Sequence, residues 1–472
     1  MSGNETSTAV PSEYVEHFFG ACHGGDLIEF FPECGAKSWR NGTNWSDQEP
    51  EPGEYDFTEL DRIATDAAEH EVELLPILGS TAPWASSAPE DASQRNRYPA
   101  RDDMIDRWKR YVETIVERYP DVDNFEIWNE PNIGFLQADY QAYIDKILKP
   151  AAEVLHEHDK KVVAPSYTVE HPDAATERNE FEERNHWNNE VNTDAMDRWL
   201  QYNEAWQYID YLSVHYTKGD TEKPMLPSAD NMMEYYDYIY ENYIESGKLD
   251  GIWNTEEGLT ATQVQSGEFV ALEPWEQEPY SQWVPRYTVP VLHWAIQHDW
   301  TDRDDFKVFW YHMDYEPDKY GTLQATNLLE ETEEGEITLS AMGSALRTLT
   351  ETLTDTTSVG VHSSPVDVGF EVFTNGHGSS YEFTNYAFEL GDRIFVAAWL
   401  DLPGIELTKS ERTKIQACIE GLSSDGDIEI ATVDYESGER TLIDDYEWSS
   451  EGHLHVRLPR IAEPVLYFTI DT

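Results

Sequence analysis

Eight short runs of strand-forming residues, interleaved with longer amphipathic runs, constrain the fold of this chain more than any other feature. The runs cover 18–22, 36–40, 73–78, 124–128, 161–165, 211–215, 252–255 and 307–311. Between them apolar residues recur every three or four positions, the spacing of one helix face. Trp108, Tyr111, Val112, Ile115 and Val116 form one such face, and Tyr143, Ile144, Ile147, Ala151 and Leu155 form another. A third runs from Met232 to Tyr243, with Gly247 placed as a C-cap. Eight strand–helix alternations predict a closed (β/α)8 TIM barrel of parallel strands. Only "GGDLIEFFPECG" separates the first two runs, so the first helix is expected to be short or absent.

Near residue 356 the helical period stops. Short alternating runs follow: "RIFVAAWL", "IEIATVDY", "HLHVRL" and "PVLYFTID". They predict a C-terminal antiparallel β-sandwich over 356–472, after a barrel over 1–355.

The charge balance narrows the function classes. Among 472 residues, 93 acids face 32 bases, a net charge of −61. Nucleic-acid binding needs a basic face, which this composition denies. The acids are spread along a chain that also carries 16 Trp and 27 Tyr, so it is not a disordered acidic tract. Such a surface suits strong salt, where the Debye length falls to about 3 Å and self-repulsion is screened. No apolar run approaches the roughly 20 residues of a membrane helix. The opening "MSGNETSTAVPSEY" has no export signal, so a cytoplasmic location is expected. Cys22, Cys34 and Cys418 are too few for a disulfide framework. No phosphate-cradling loop, dinucleotide fingerprint or serine elbow is present. His156 and His158 are two apart on a helix and face different ways, so no metal or cofactor is expected. The pattern assigns no oligomeric state.

In a barrel of this kind chemistry sits where strands end. The fourth run ends in Asn129-Glu130-Pro131, and the seventh, "GIWNTEEG", ends in Glu256-Glu257. Carboxylates on strands four and seven would face each other across the axis, an arrangement that splits glycosidic bonds. One acid protonates the leaving oxygen and the other attacks the anomeric carbon. A gap of roughly 5 Å gives retention, and a wider one inversion. Spacing alone leaves Glu256 and Glu257 as alternatives for the second carboxylate.

"EIWNEPN" resembles the acid/base motif of glycoside hydrolase clan A, whose catalytic glutamates lie on strands four and seven. The layout is most similar to family 39 and to family 5-like retaining β-glycosidases. "LLPILGSTAPWAS" resembles the third strand there, "IDYLSVHYT" the sixth, "IWNTEEG" the seventh and "VFWYHMDY" the eighth. The family 5 pattern has a histidine after strand three, where this chain has Ser80 and Trp84. The resemblance implies Glu130 as acid/base and Glu256 as nucleophile, with Asn129 on the sugar 2-hydroxyl and Arg40 steadying the nucleophile. It further implies His215 or Tyr216 on the wall, Trp310 as the apolar platform under the sugar, and His23 as a further substrate contact. The implied partner is an oligosaccharide or polysaccharide. The implied activity is that of an exo-acting β-xylosidase, with an endo-β-glycanase as the alternative and an inactive carbohydrate-binding barrel as a reading of another class. Phe269, Trp275, Tyr280 and Trp283, on the loop after strand seven, either stack on outer sugars or pack the loop.

Overall fold

In the computed structural model the described residues are 10–168, 193–218, 230–259, 262–265, 268–271, 281, 283–316, 327–354, 358–362, 367–374, 377–400, 415–420, 427–433, 437–457 and 465–471. Eight parallel strands close a barrel. They are β1 (Phe19–Cys22), β2 (Ser38–Asn44), β3 (Glu73–Gly79), β4 (Asn124–Ile127), β5 (Lys161–Thr168), β6 (Tyr211–Lys218), β7 (Gly251–Leu259) and β8 (Phe306–Trp310). β8 pairs with both β7 and β1. Each strand is followed by a helix: α1 (Phe30–Cys34), α2 (Thr58–Glu69), α3 (Ile105–Arg118), α4 (Lys149–Glu157), α5 (Thr193–Gln201), α6 (Asp230–Ile239), α7 (Trp283–Gln297) and α8 (Ala341–Thr354). The eight expected strands are all found. The first helix is a five-residue stub, ended by Gly35 at φ 78°, a left-handed conformation that costs glycine little.

Strand alternation sorts side chains into two layers. Cys22, Leu75, Val163, Tyr211, Trp253 and Phe309 fill the barrel interior, with Tyr311 partly buried against them. Phe309 fits because Gly20 faces it; a Cβ there would lie 2.6 Å from the ring. One end of the interior is closed by ions. The buried Lys307 ammonium donates to Glu73 Oε2 at 2.9 Å and lies 2.9 Å from Asp304 Oδ1. Arg303 and His17 also meet Glu73. Burial alone would raise the Glu73 carboxyl, but Lys307 and His17 hold it well below the usual glutamate range. Functional chemistry is left to the other end, where the strands finish.

Antiparallel strands follow the barrel. Their central strand, His377–Leu390, pairs with Asp367–Thr374 through its first half and with Arg393–Leu400 through its second. Val10 and Pro11 pair with Val359 and Ser358, so the start of the described chain is stitched to this tail. The tail also explains α7, whose sequence "WVPRYTVPVLHWAIQ" is buried on nearly every side. A helix apolar all round needs cover on both faces. Here the barrel covers one, and Tyr386 and Phe388 pack on His293 from the other, at 5.1 and 5.7 Å between rings. Among the described residues no helix is long and apolar enough to cross a membrane.

Candidate active site

β4 brings Glu126 into the barrel while Phe125 and Ile127 pack outward. Beyond it the backbone leaves the strand through left-handed conformations, φ 72° at Trp128 and φ 42° at Glu130. Such values are costly for side-chain-bearing residues and persist only where their surroundings fix them. A clasp supplies this: Asn132 Nδ2 donates to the Thr168 carbonyl, and the Thr168 amide donates back to Asn132 Oδ1, both at 3.0 Å. Glu130 is thus presented at the mouth with its side chain 12% exposed. Its Oε1 accepts from Thr168 Oγ1 at 2.9 Å and lies 3.0 Å from His215 Nδ1.

β7 carries the second carboxylate on a β-bulge. Val214 pairs with Asn254 but His215 pairs with Glu256, leaving Thr255 as the extra residue. The bulge turns two consecutive side chains inward. Thr255 Oγ1 donates to Glu126 Oε1 at 2.7 Å, and Glu256 Oε1 accepts from Arg40 Nη1 at 2.6 Å. Glu256 Oε2 lies 3.6 Å from His215 Nδ1. One oxygen each of Glu130 and Glu256, with a ring nitrogen of His215, all fall within 4.8 Å of one another. Three such donors have the chemistry of a divalent-cation site, although Thr168 and Arg40 already engage both carboxylates.

Arg40, on β2 and 1% exposed, is the hub. Its Nε donates to Glu126 Oε2, its Nη1 to Glu256 and its Nη2 to Asn129 Oδ1 at 2.7 Å. Burial by itself would raise the Glu256 carboxyl, but His215, Arg40 and His23 together hold it down, to about 2. It stays ionised.

Glu257 takes the opposite course. It faces outward into α7, where Trp283 Nε1 and Asn254 Nδ2 donate to its carboxylate at 2.9 and 2.7 Å. Burial pushes its carboxyl well above the usual value. The structure therefore separates the two adjacent glutamates that spacing left open.

Arg40, Asn129, Glu130, His215 and Glu256 come together, and His23 joins them from the end of β1. His23 has φ 60°, and its ring lies edge-on to Tyr311 at 5.2 Å. Burial, helped by Arg40 and His215, lowers its pKa. Trp310 does not join. Lys307 and Phe309 of β8 point inward, so alternation turns Trp310 outward, fully buried against Tyr287 with ring centres 6.2 Å apart. The aromatic facing inward there is Tyr311, stacked on His312 at 4.3 Å. The Tyr216 side chain lies outside the described residues; its backbone pairs with Glu257. Trp275 and Tyr280 and the Phe269 side chain also lie outside them, and Trp283 is buried packing, not an outer stacking surface.

Sequence reasoning did not single out Glu126, Thr168, Thr255 or Tyr311. Glu126 had a signal, an acid inside the apolar run "NFEIW". Thr168 had none, because β5 runs three residues past the Pro165 at which the pattern ended.

No protein-family profile matches the chain, and no curated protein matches it. Solved structures match its fold. A family 39 glycoside hydrolase from the gut symbiont Bacteroides cellulosilyticus superimposes with TM-score 0.64 and 14% identity, over 98% of this chain and 82% of that one. A family 30 endoxylanase from Clostridium papyrosolvens gives 0.56 and 12%, over 99% and 98%. A glucosidase from Croceicoccus marinus gives 0.53 and 12%, over 100% and 97%. At these identities the likeness is one of fold: the closed eight-strand barrel with antiparallel strands behind it, as in glycoside hydrolases of clan A.

Proposed function

We propose that the chain is a retaining β-glycoside hydrolase, with Glu256 as nucleophile and Glu130 as acid/base. The observation that carries this reading is the pair of carboxylates from β4 and β7, with oxygens within 4.8 Å. That gap matches the roughly 5 Å of double displacement and leaves no room for the water that inversion needs. Arg40 occupies Glu256 Oε1, so Oε2 attacks the anomeric carbon. As the new C–O bond forms, the glycosidic bond breaks and Glu130 gives its proton to the leaving oxygen. In the second half, Glu130 takes a proton from water, which attacks the same carbon and releases Glu256. Asn129, held by Arg40, accepts or donates at the sugar 2-hydroxyl. Tyr311 and His23 form the apolar wall in place of Trp310. Phe135, 42% exposed on the loop after Glu130 and backed by the Arg97 guanidinium at 5.0 Å, offers a stacking face.

For substrate, the reading is an exo-acting β-xylosidase type of enzyme, with endo-β-glycanase as the second choice. It rests on the sequence resemblance to family 39. Proteins as different as an endoxylanase and a glucosidase share the fold. The tail is read as a two-layer sandwich, residues 356–472, bracing the barrel. Ala387, Val396, Leu466 and Phe468 pack with Leu454 and Val456 in one cluster that joins its two parts.

The test is incubation with activated 2-deoxy-2-fluoro β-glycosides in molar KCl, followed by peptide mass mapping. A covalent sugar on Glu256 is expected, with turnover lost in Glu130→Ala and Glu256→Ala. No adduct and no turnover with any β-glycoside would leave the inactive binding barrel as the reading.

A further inference from the structure

We infer that Glu126 is a positioning residue for the nucleophile, holding both the guanidinium that orients Glu256 and the bulge from which Glu256 projects. The inference rests on the glycosidase reading above and deepens it.

Glu126 is 0% exposed and lies below the mouth, so it cannot reach a sugar. Its two oxygens serve different strands. Oε2 accepts from Arg40 Nε on β2, and Oε1 accepts from Thr255 Oγ1 on β7 at 2.7 Å. Thr255 is the bulge residue, and Glu256 follows it directly in the chain. One carboxylate therefore fixes the nucleophile from two sides, its side chain through Arg40 and its backbone through Thr255. A guanidinium is a planar fork of fixed shape. With Nε tied to Glu126, the plane is set, and Nη1 and Nη2 are aimed at Glu256 and Asn129.

Stability does not demand this carboxylate. A buried ion pair recovers little beyond its own desolvation, and apolar packing of equal volume does as well. Glu126 also sets its own negative charge against that of Arg40 at Glu256. The groups facing that guanidinium are Cys22 from β1, Glu126 and Asn129 from β4 and its exit, and Glu256 from β7, with His215 on β6 and His23 beside Glu256. With Glu126 neutral, its repulsion of Glu256 is gone while Arg40's attraction remains, making Glu256 a weaker nucleophile and easier to keep ionised.

The test uses dinitrophenyl β-glycosides, whose leaving group needs no proton, so that Glu130 drops out of the first step. Glu126→Gln keeps the shape and removes the charge; its oxygen still accepts from Arg40 Nε, while its amide nitrogen can only donate to Thr255 Oγ1, reversing that bond. It should lower kcat about tenfold, with KM little changed and the acid limb of the pH profile moved to lower pH. Glu126→Ala, which frees the guanidinium, should cost about a hundredfold. Should both fold poorly, Thr255→Val removes only the second contact within the same shape, and it should lower kcat without moving KM. Wild-type kcat and an unmoved acid limb in Glu126→Gln, or wild-type kcat in Thr255→Val, would overturn the inference while wild-type turnover upholds the glycosidase reading. A wild-type protein that releases no dinitrophenol and takes up no 2-fluoro sugar would overturn both.

Discussion

Arg40→Met offers the sharpest test of how the site is held together. Arg40 is 1% exposed and is bonded to two carboxylates, Glu126 at 0% and Glu256 with its side chain at 13% exposure. Methionine fills much of the same volume but leaves both anions and Asn129 Oδ1 without their donor. Removing one partner of a buried pair costs about 3–5 kcal/mol, and here one deletion strands two carboxylates, which puts the expected loss near the top of that range. The pH dependence gives the sign. In the wild type Glu256 is held below its unfolded value of 4.5. It therefore contributes stability that is fully present above that value and lost as pH falls through the lowered one. In Arg40→Met, burial is opposed only by the histidines, and the Glu256 carboxyl moves upward. The variant then carries a penalty at neutral pH that acid relieves, so the gap to wild type should narrow between pH 7 and pH 5. Urea midpoints at fixed molar KCl, for wild type, Arg40→Met and Arg40→Met/Glu126→Leu, measure both effects. The double variant should recover part of the loss, because Glu126 no longer sits buried without a counter-charge. A loss under about 1 kcal/mol, or a gap that widens with acid, would refute the account.

Glu257→Gln should keep wild-type turnover, because its carboxyl already favours the protonated form among Trp283 and Asn254, whereas Glu256→Gln should abolish it; steady-state rates on one aryl glycoside decide. Trp310→Ala should cost about 3–5 kcal/mol of stability as a core deletion with little change in KM, while Tyr311→Ala should raise KM and lower the urea midpoint by less than Trp310→Ala does. Dialysis below roughly 0.5 M salt should collapse the far-UV CD signal, since the Debye length grows and the net charge of −61 is no longer screened; an unaltered spectrum refutes the reading of the acidic surface.

The barrel was legible because its signal is repeated. Eight apolar runs with helical spacing between them fit no other simple topology, and each strand found lies within a few residues of its run. The convergence of Glu130 and Glu256 was legible because strand ends in such a barrel are where side chains reach solvent. What was not legible depends on parity. The resemblance implies Trp310 as a platform, but its layer is set by Lys307 and Phe309 pointing inward, a fact the run "FKVFWY" does not disclose. The unbroken apolar surface of α7 makes sense only once Tyr386 and Phe388 of the tail pack over it. The pairing of Val10 with Val359 joins segments nearly 350 residues apart, and no local pattern encodes it.

The same parity explains why the two carboxylates sit where regular structure fails. A straight β7 would place Thr255 and Glu257 on one face and Asn254 and Glu256 on the other. Glu256 would then share its face with an asparagine and be separated from the hydroxyl that ties β7 to Glu126. The bulge at Thr255 breaks that alternation once, so that Thr255 and Glu256 project inward together while Asn254 and Glu257 satisfy each other outside. On the opposite wall, Trp128 and Glu130 leave β4 with positive φ and are kept there by the Asn132–Thr168 clasp. Both departures cost backbone energy, and both are over-determined by buried hydrogen bonds. A barrel needs neither of them to close. Their common effect is to bring an oxygen of Glu130 and an oxygen of Glu256 within 4.8 Å, the separation that the proposed double displacement needs.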